Sequence, residues 1–484
     1  MTTTTPTNIS TNATTAAYDF VIRNAEVVTA AERFNCDIGV QDGVVVALAR
    51  DLPKGAREID ATGLLALPGG IDAHCHLDQP MPEGLKMADD FLSGTRAAAC
   101  GGTTTVIPFA AQEKGQSLKA AVADYHRRAD GRAVTDYAFH LIVSDPTPEV
   151  LERELPELIA AGYTSFKIYM TYDDLKLSDR EILEVMDVAR RNQALVMVHA
   201  ENSDCIAWLT DKLTEAGNHA PKYHALSRPA VVEREATHRA IAFSELVDVP
   251  ILIVHVSGQE AIEQIEWAQR RGLNIYAETC PQYLYLTAED LGHEDGYHGA
   301  KCVCSPPPRD SSNQKAVWSA LKRGTFSVFS SDHAPFSFDD PQGKKPGGEE
   351  VSFEHIPNGI PGIETRLPLL FDGVSQGKLS LHKFVELTAL NPAKLYGLYP
   401  RKGTIAVGAD ADIVLWDPAK QVAIANAALH HNVDYTPYEG RTVQGWPQHC
   451  LSRGELLVEN GRYLEPQAGR GQFLAAGKPQ YLDR

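Results

Sequence analysis

From about Leu64 to about His333 the chain alternates two textures. Short apolar runs of strand length, LLALPGGIDAH, TTTVIPFA, DYAFHLIVS, TSFKIYM, ALVMVHA, PILIVHVS, LNIYAET and FSVFSSDH, are separated by segments of helix length. Residues 179–193 and 258–272 show the second texture, with apolar positions recurring every third and fourth residue. A strand buried on both faces reads as a continuous apolar run, so this text predicts a parallel sheet wrapped in helices. Eight such units in a row predict an α/β fold of the (β/α)8 TIM-barrel type.

The flanks read differently. From Tyr18 to about Ile59, and again past about Gly403, strand-length runs are broken by Asn, Asp-Gly and Gly, which is the grammar of hairpins. Such text on both sides of the barrel predicts that the chain ends meet in one small β-sandwich domain. The expected division is a barrel over residues 65–403 and a sandwich from residues 18–64 and 404–465, with a disordered tail over 1–17 and a C-terminal tail over 466–484.

Composition narrows the function classes. With 484 residues, 43% hydrophobic and 22% charged, the chain can bury a large core, which excludes disorder, collagen and a disulfide scaffold. Forty-five Lys and Arg against 63 Asp and Glu leave a net charge of −18, which repels phosphate backbones and anionic membranes, so nucleic acid is not an expected partner. The opening residues lack the basic and apolar regions of a secretory signal, and no later run is long and apolar enough to span a bilayer. Eight cysteines without regular spacing fit free thiols in a reducing compartment, so the cytoplasm is expected. In a chain that stays inside, the glycosylation-type triplets at Asn8 and Asn12 carry no weight.

The polar residues at the strand ends carry the chemistry. His74 and His76 end the first strand, Lys167 lies in the fourth, His199 ends the fifth, His255 the sixth and Asp332 the eighth. In a barrel the carboxyl ends of all strands converge on one mouth, so these six side chains are expected in one cavity. Strand alternation turns His74 and His76 inward together and Cys75 outward. Four imidazoles and a carboxylate are ligands of the zinc class, and too many for one tetrahedral ion. Two divalent ions would bring four positive charges, against which Asp332 and a bridging hydroxide supply two negative ones. Lys167 as an ammonium worsens that balance; as a carbamate formed with carbon dioxide (N6-carboxylysine) it becomes an anion able to bridge both ions. Singly, each residue has an ordinary reading: a lone His-x-His is weak, Asp332-His333 makes a turn, and Lys167 pairs with a carboxylate. Joint placement in barrel order carries the argument. By contrast, Cys302 and Cys304 have poor zinc-finger spacing and read as plain thiols, and His430-His431 reads as a polar surface turn.

With these residues in view, the chain resembles the hydantoinase and dihydropyrimidinase branch of the amidohydrolase superfamily from about Tyr18 to about Glu465. The resemblance rests on PGGIDAHCHLD (68–78), DDFLSGTRAAACGGTTT (89–105), TSFKIYMTY (164–172), VMVHAEN (196–202), HALSRPAVVEREAT (224–237), ILIVHVSG (251–258), ETCPQYLYLT (278–287), SPPPR (305–309), SSDHAPF (330–336) and IPNGIPGIETR (356–366). It implies hydrolysis of a cyclic amide to an N-carbamoyl amino acid by two metal ions, usually zinc. One ion is held by His74, His76, carboxylated Lys167 and Asp332, the other by Lys167, His199 and His255. It implies further that Tyr172 helps stabilise the oxyanion and that backbone groups of Ser305 and Asn358 hold the ring's amide face. Asp332 then moves a proton from the nucleophile to the departing ring nitrogen. The stretch 430–447 resembles segments that pack between subunits of homotetramers.

The departures concern substrate. Cys75 stands where Thr is common, Tyr169 where Phe is frequent, and Gln79 opens a loop, 79–90, that is more apolar in many relatives. These positions shape the pocket for the ring's substituent, so dihydropyrimidine and 5-substituted hydantoin both stay open. Dihydroorotase commonly grips its substrate carboxylate with an Arg two positions after the His-x-His pair; here that position is Asp78, expected to repel it. Allantoinase stays open. A catalytically silent relative would have lost ligands, and this chain keeps every one.

Overall fold

The computed structural model describes residues 16–292, 296–465 and 468–482. The predicted tail 1–17, with Asn8 and Asn12, lies outside these residues except for its last two.

The apolar runs form the barrel. Its strands are Gly70–Cys75, Thr103–Ala111, a third split into Asp136–Tyr137 and His140–Ile142, then Ser165–Tyr169, Leu195–His199, Ile251–Ile253, Ile275–Thr279 and Val328–Phe329. They hydrogen-bond in chain order, all parallel. The first and last strands meet through a parallel bridge between Cys75 and His333. Ile71, Ile107, Ile142, Met197, Leu252 and Val328 share one buried cluster in the barrel interior. Leu395, Tyr396, Leu398 and Leu474 join that cluster, and Ala476 N–H bonds the Gly162 carbonyl at 3.0 Å, so these residues floor the barrel at its amino end. The stretch 468–482 therefore packs along the barrel, where a tail was expected. Outside lie the helices predicted from periodicity, observed as Asp179–Asn192 and Gln259–Arg270. Ser178 starts the former with a reciprocal capping box to Glu181, satisfying two backbone donors the helix cannot.

The chain ends build a mixed nine-stranded sheet. Its tight turns fall where the sequence places them. Asp42-Gly43 joins Arg33–Gln41 to Val44–Ala49 with φ of 52° and 77°, the left-handed pair that a two-residue hairpin of matching twist requires. Two features differ from the sequence reading. The run LLALPGGIDAH is two strands: Leu65–Pro68 pairs in the mixed sheet, and Gly70–Cys75 enters the barrel. Gly69 permits the change of direction, because a Cβ there would lie 2.1 Å from Thr104 Oγ1. The strand Thr442–Ser452 was not read from sequence, since Gly445 and Pro447 disguise it; Gly445 has φ of 95° and packs against Phe371.

Sheet and barrel are joined by a buried ion cluster. Lys402 Nζ lies 2.7 Å from Asp136 in the third barrel strand, 2.7 Å from Asp412 and 3.0 Å from Asp410. Arg453 also reaches Asp136, at 3.1 Å, and donates to the Arg470 carbonyl at 2.6 Å. Burial alone would raise the Asp136 carboxyl, but Lys402 and Arg453 outweigh it and hold it below the usual carboxylate range. A depressed carboxyl contributes stability above its unfolded pKa of about 3.8 that is lost as pH falls through the folded value. Lys402→Met should therefore cost about 3–5 kcal/mol by leaving buried carboxylates without their cation, measured by urea unfolding at pH 7. The difference from the parent should shrink as pH falls below about 3.8 and through the depressed folded value, where the carboxyl protonates in the parent as well.

Candidate metal centre

The carboxyl ends of the barrel strands open into a cavity of about 860 Å3. His76, Lys167, His199, His255 and Asp332 line it, His74 lies directly behind Lys167 and Asp332, and all six are buried. Asp332 Oδ1 lies 3.2 Å from His74 Nε2 and 3.5 Å from His76 Nε2. Lys167 Nζ donates to His74 Nε2 at 2.8 Å, and His255 Nε2 lies 2.9 Å from His199 Nδ1. The two histidine pairs adjoin, with His74 and His255 ring centroids 5.3 Å apart.

Backbone irregularity places several of these groups. The pairing of the first two strands shifts register between Asp72 and Cys75, which brings His74 and His76 to the inner side after Ile71 and Ala73 have already faced it. Cys75 packs in the outer core, as alternation predicted. His255, Asp332 and Tyr172 have φ of 39°, 49° and 68°, a left-handed conformation that non-glycine residues rarely adopt and that clusters at functional sites.

Each of three imidazoles is held from behind. His74 Nδ1 donates to Glu278 at 2.6 Å, His76 Nδ1 to Gln79 at 2.6 Å and His199 Nε2 to Glu201 at 2.7 Å. These bonds leave Nε2 of His74, Nε2 of His76 and Nδ1 of His199 as the lone-pair nitrogens, and those are the ones facing the shared space. Glu278 also accepts from Ser330 Oγ at 2.8 Å, and Arg228 pairs with Glu201 at 3.2 Å. Sequence reasoning missed Glu278, Glu201 and Arg228. The available signal was the placement of Glu201 two residues beyond His199 and of Glu278 near the end of the seventh strand.

The electrostatics fit ligands. Burial drives His74 and His255 well below the usual imidazole range, so both are in the neutral form that binds cations. Burial also lowers Lys167, to about 8. Its nitrogen forms no direct ion pair with a carboxylate among the described residues, although the Asp332 and Glu278 carboxylates attract it through space. His74, His76 and Asp332 offer ligand atoms within 4.8 Å of one another, and His255 Nδ1 is buried without a partner. Nitrogen and oxygen donors of this kind and spacing suit zinc-class ions.

On the substrate side, Tyr172, Ser305 and Asn358 all line the cavity, and Asn358 Nδ2 donates to the Tyr172 hydroxyl at 3.2 Å. Gln79, Met81 and Met87 of the 79–90 loop line it too, together with Tyr169 and Phe336. Asp78 does not. It turns away to pair with Arg128 at 3.1 Å, so the expected repulsion of a substrate carboxylate has no basis; what holds is the lack of an arginine at that position. The His430-His431 turn is anchored rather than free on the surface, since His430 Nδ1 lies 2.9 Å from the buried Glu364. Cys302 and Cys304 are buried thiols outside every potential metal group among the described residues.

Removing the carboxylate that orients His199 should weaken cation binding at this candidate centre. Glu201→Ala is expected to lower affinity for zinc about 10- to 100-fold, measured by competition with a chromogenic chelator.

Comparison with known proteins agrees with this architecture. Residues 65–457 match the model of the amidohydrolase family. The chain is 46% identical over 454 residues to a D-hydantoinase of Ralstonia pickettii, covering 93% of this chain and 98% of that one. A D-hydantoinase of Geobacillus stearothermophilus is 45% identical over 462 residues, covering 95% and 96%. The crystal structure of a dihydropyrimidinase from Brevibacillus agri superposes with a TM-score of 0.91 at 45% identity, covering 95% of this chain and 99% of that one. From this barrel, its strand-end site and these matches, the chain belongs to the amidohydrolase family, within its hydantoinase and dihydropyrimidinase branch.

Proposed function

We propose that this cyclic amidohydrolase opens the ring of a dihydropyrimidine or a 5-substituted hydantoin, giving an N-carbamoyl amino acid. The observation that carries the proposal is the set of imidazole nitrogens turned toward Lys167 and Asp332 at the mouth of a cavity of about 860 Å3. The names of the similar proteins support the substrate class.

His74, His76, Lys167 and Asp332 would hold one divalent ion, and Lys167, His199 and His255 a second, with zinc the expected metal. When bound, the ions supply a water of lowered pKa and positive charge to offset the oxyanion. Lys167 is proposed as the carbamate: its amine adds to the carbon of carbon dioxide and loses a proton, leaving an anion with two oxygens. What supports this is charge, since an ammonium beside two cations would be repelled and Lys167 makes no direct ion pair with a carboxylate among the described residues.

Within the chain, Asp332 is the group that takes the proton of the attacking water and returns it to the departing ring nitrogen. Its position 3.2 Å from His74 Nε2 and 3.5 Å from His76 Nε2 supports this, because the carboxylate faces the space in which the carbonyl must be attacked. Tyr172 is the oxyanion donor. Burial raises its pKa, so the hydroxyl keeps its proton, and Asn358 fixes its direction. Ser305 and Asn358 orient the ring's amide face, while Met81, Met87 and Phe336 give the ring substituent an apolar seat. For assembly we propose a homotetramer; exposed Trp208, Leu226 and Leu246 offer apolar surface for it.

The decisive assay compares metal-loaded protein on dihydrouracil, hydantoin, a 5-aryl hydantoin, allantoin and dihydroorotate. Turnover should be highest on one of the first three; dihydroorotate as best substrate would overturn the proposal. Tyr172→Phe should lower kcat by about a hundred- to a thousand-fold, by analogy with loss of one oxyanion-hole donor, with less effect on KM. Lys167→Ala should lose bound metal, and bicarbonate should speed recovery of activity in chelated, reloaded parent protein only.

A further inference from the structure

The seam between the barrel and the returning C-terminal segment holds a second group of ligand-type side chains. Cys100 is the last residue of the helix Phe91–Cys100, Glu364 lies just before the helix Arg366–Ser375, and His430 belongs to the anchored turn described above. A sulfur, a carboxylate oxygen and an imidazole nitrogen from these residues all lie within 4.8 Å of one another. Close backbone packing sets the arrangement. A Cβ on Gly101 would come within 2.3 Å of the Glu364 carbonyl oxygen, so the end of the Cys100 helix is pressed against Glu364.

Two observations go beyond a simple Glu–His pair. The Cys100 thiol is 6% exposed and makes no hydrogen bond among the described residues, although it faces the other two groups. Glu364 is buried with a 2% exposed side chain, and its carboxylate contacts are His430 Nδ1 at 2.9 Å and His430 N–H at 2.7 Å. The guanidinium of Arg96 is directed at the His430 carbonyl, 2.8 Å away. Glu364 thus shares its charge with His430, which it holds above the usual imidazole range, while the buried thiol beside that pair has no hydrogen-bond partner among the described residues.

We propose that Cys100, Glu364 and His430 form a further divalent-cation site of the zinc class, separate from the barrel mouth. A thiolate and a carboxylate together carry two negative charges, which balance one divalent ion, and neutral His430 completes three ligands. Burial and the neighbouring Glu364 keep the free thiol protonated, and Glu364 favours a proton on His430, so binding displaces the Cys100 proton, and any that His430 holds, to solvent. Zinc–ligand distances of roughly 2.0–2.3 Å place tetrahedral ligands about 3.5 Å apart, so groups that lie within 4.8 Å of one another would draw together on binding. His430, with a side chain 32% exposed, leaves the fourth position open to water. The ion would staple a barrel helix to the segment that returns from the mixed sheet. That segment also touches the mouth, since Asn432 N–H bonds Asp89 at 2.8 Å and Asp89 lies 3.2 Å from His333, the neighbour of Asp332.

The barrel-mouth ligands include no cysteine, which makes the test selective. Full-length protein is stripped with a chelator, reloaded with cobalt(II) and read for a thiolate-to-cobalt charge-transfer band in the near ultraviolet. Parent protein should show the band, Cys100→Ser should lose it, and Cys205→Ser, altering the exposed thiol, should keep it. Zinc-loaded parent should carry one equivalent more than Cys100→Ser or His430→Gln by elemental analysis, and zinc should raise its Tm more than theirs. His430→Gln changes a partly exposed side chain, so it keeps the test readable if Cys100→Ser does not fold. A band that survives Cys100→Ser, no band at all, or equal zinc content in parent and variants would overturn the site.

Discussion

The closure of the first barrel strand against the last is the contact on which the site depends. Asp332 N–H bonds the His74 carbonyl at 2.9 Å, and His76 N–H bonds the His333 carbonyl at 2.7 Å. Those two backbone bonds interleave three ligand-type residues separated by more than 250 positions in the chain. Because they are backbone bonds in a buried site, breaking them would leave unpaired groups away from water, so His74, His76 and Asp332 are held in register by the same interactions that close the barrel. Position rather than residue type turns ordinary histidines and an aspartate into a candidate cation site.

Around that closure the protein arranges polarity in layers. The inner layer is imidazole, amine and carboxylate; behind it Glu278, Glu201 and Gln79 orient the rings; behind Glu201 stands Arg228. These bonds hold three of the four imidazoles in the layer in front, while His255 Nδ1 stays without a partner among the described residues. The floor is the opposite, filled by Leu395, Tyr396, Leu398 and Leu474. A packed floor and a polar mouth divide stability from chemistry along one barrel axis.

The mixed sheet is more than an appendage. Lys402 ties Asp136 of the barrel to Asp410 and Asp412 at the entrance to the sheet, and Arg453 extends the tie to the segment beyond residue 468. The C-terminal part of the chain is thereby bound to the barrel through one buried network, which makes its placement sensitive to a single charge.

The sequence by itself determined the barrel strands, the hairpin sheet and the types of residue at the strand ends, because burial and hydrogen bonding of a strand are written locally as apolar period and turn residues. Asp42-Gly43 is legible as a hairpin since φ above zero at both positions is a local demand. The tertiary structure decided what depends on partners distant in the chain. Alternation alone would put His255 out of phase with Leu252 and Val254, and its left-handed backbone brings it to His199. Which imidazole nitrogen faces the cavity follows from Glu278, Gln79 and Glu201, and Asp78 is withdrawn by Arg128; neither choice is visible in local spacing. The division of LLALPGGIDAH between two sheets, and the meeting of Cys100 with Glu364 and His430, likewise arise only when the closed barrel sets remote segments side by side.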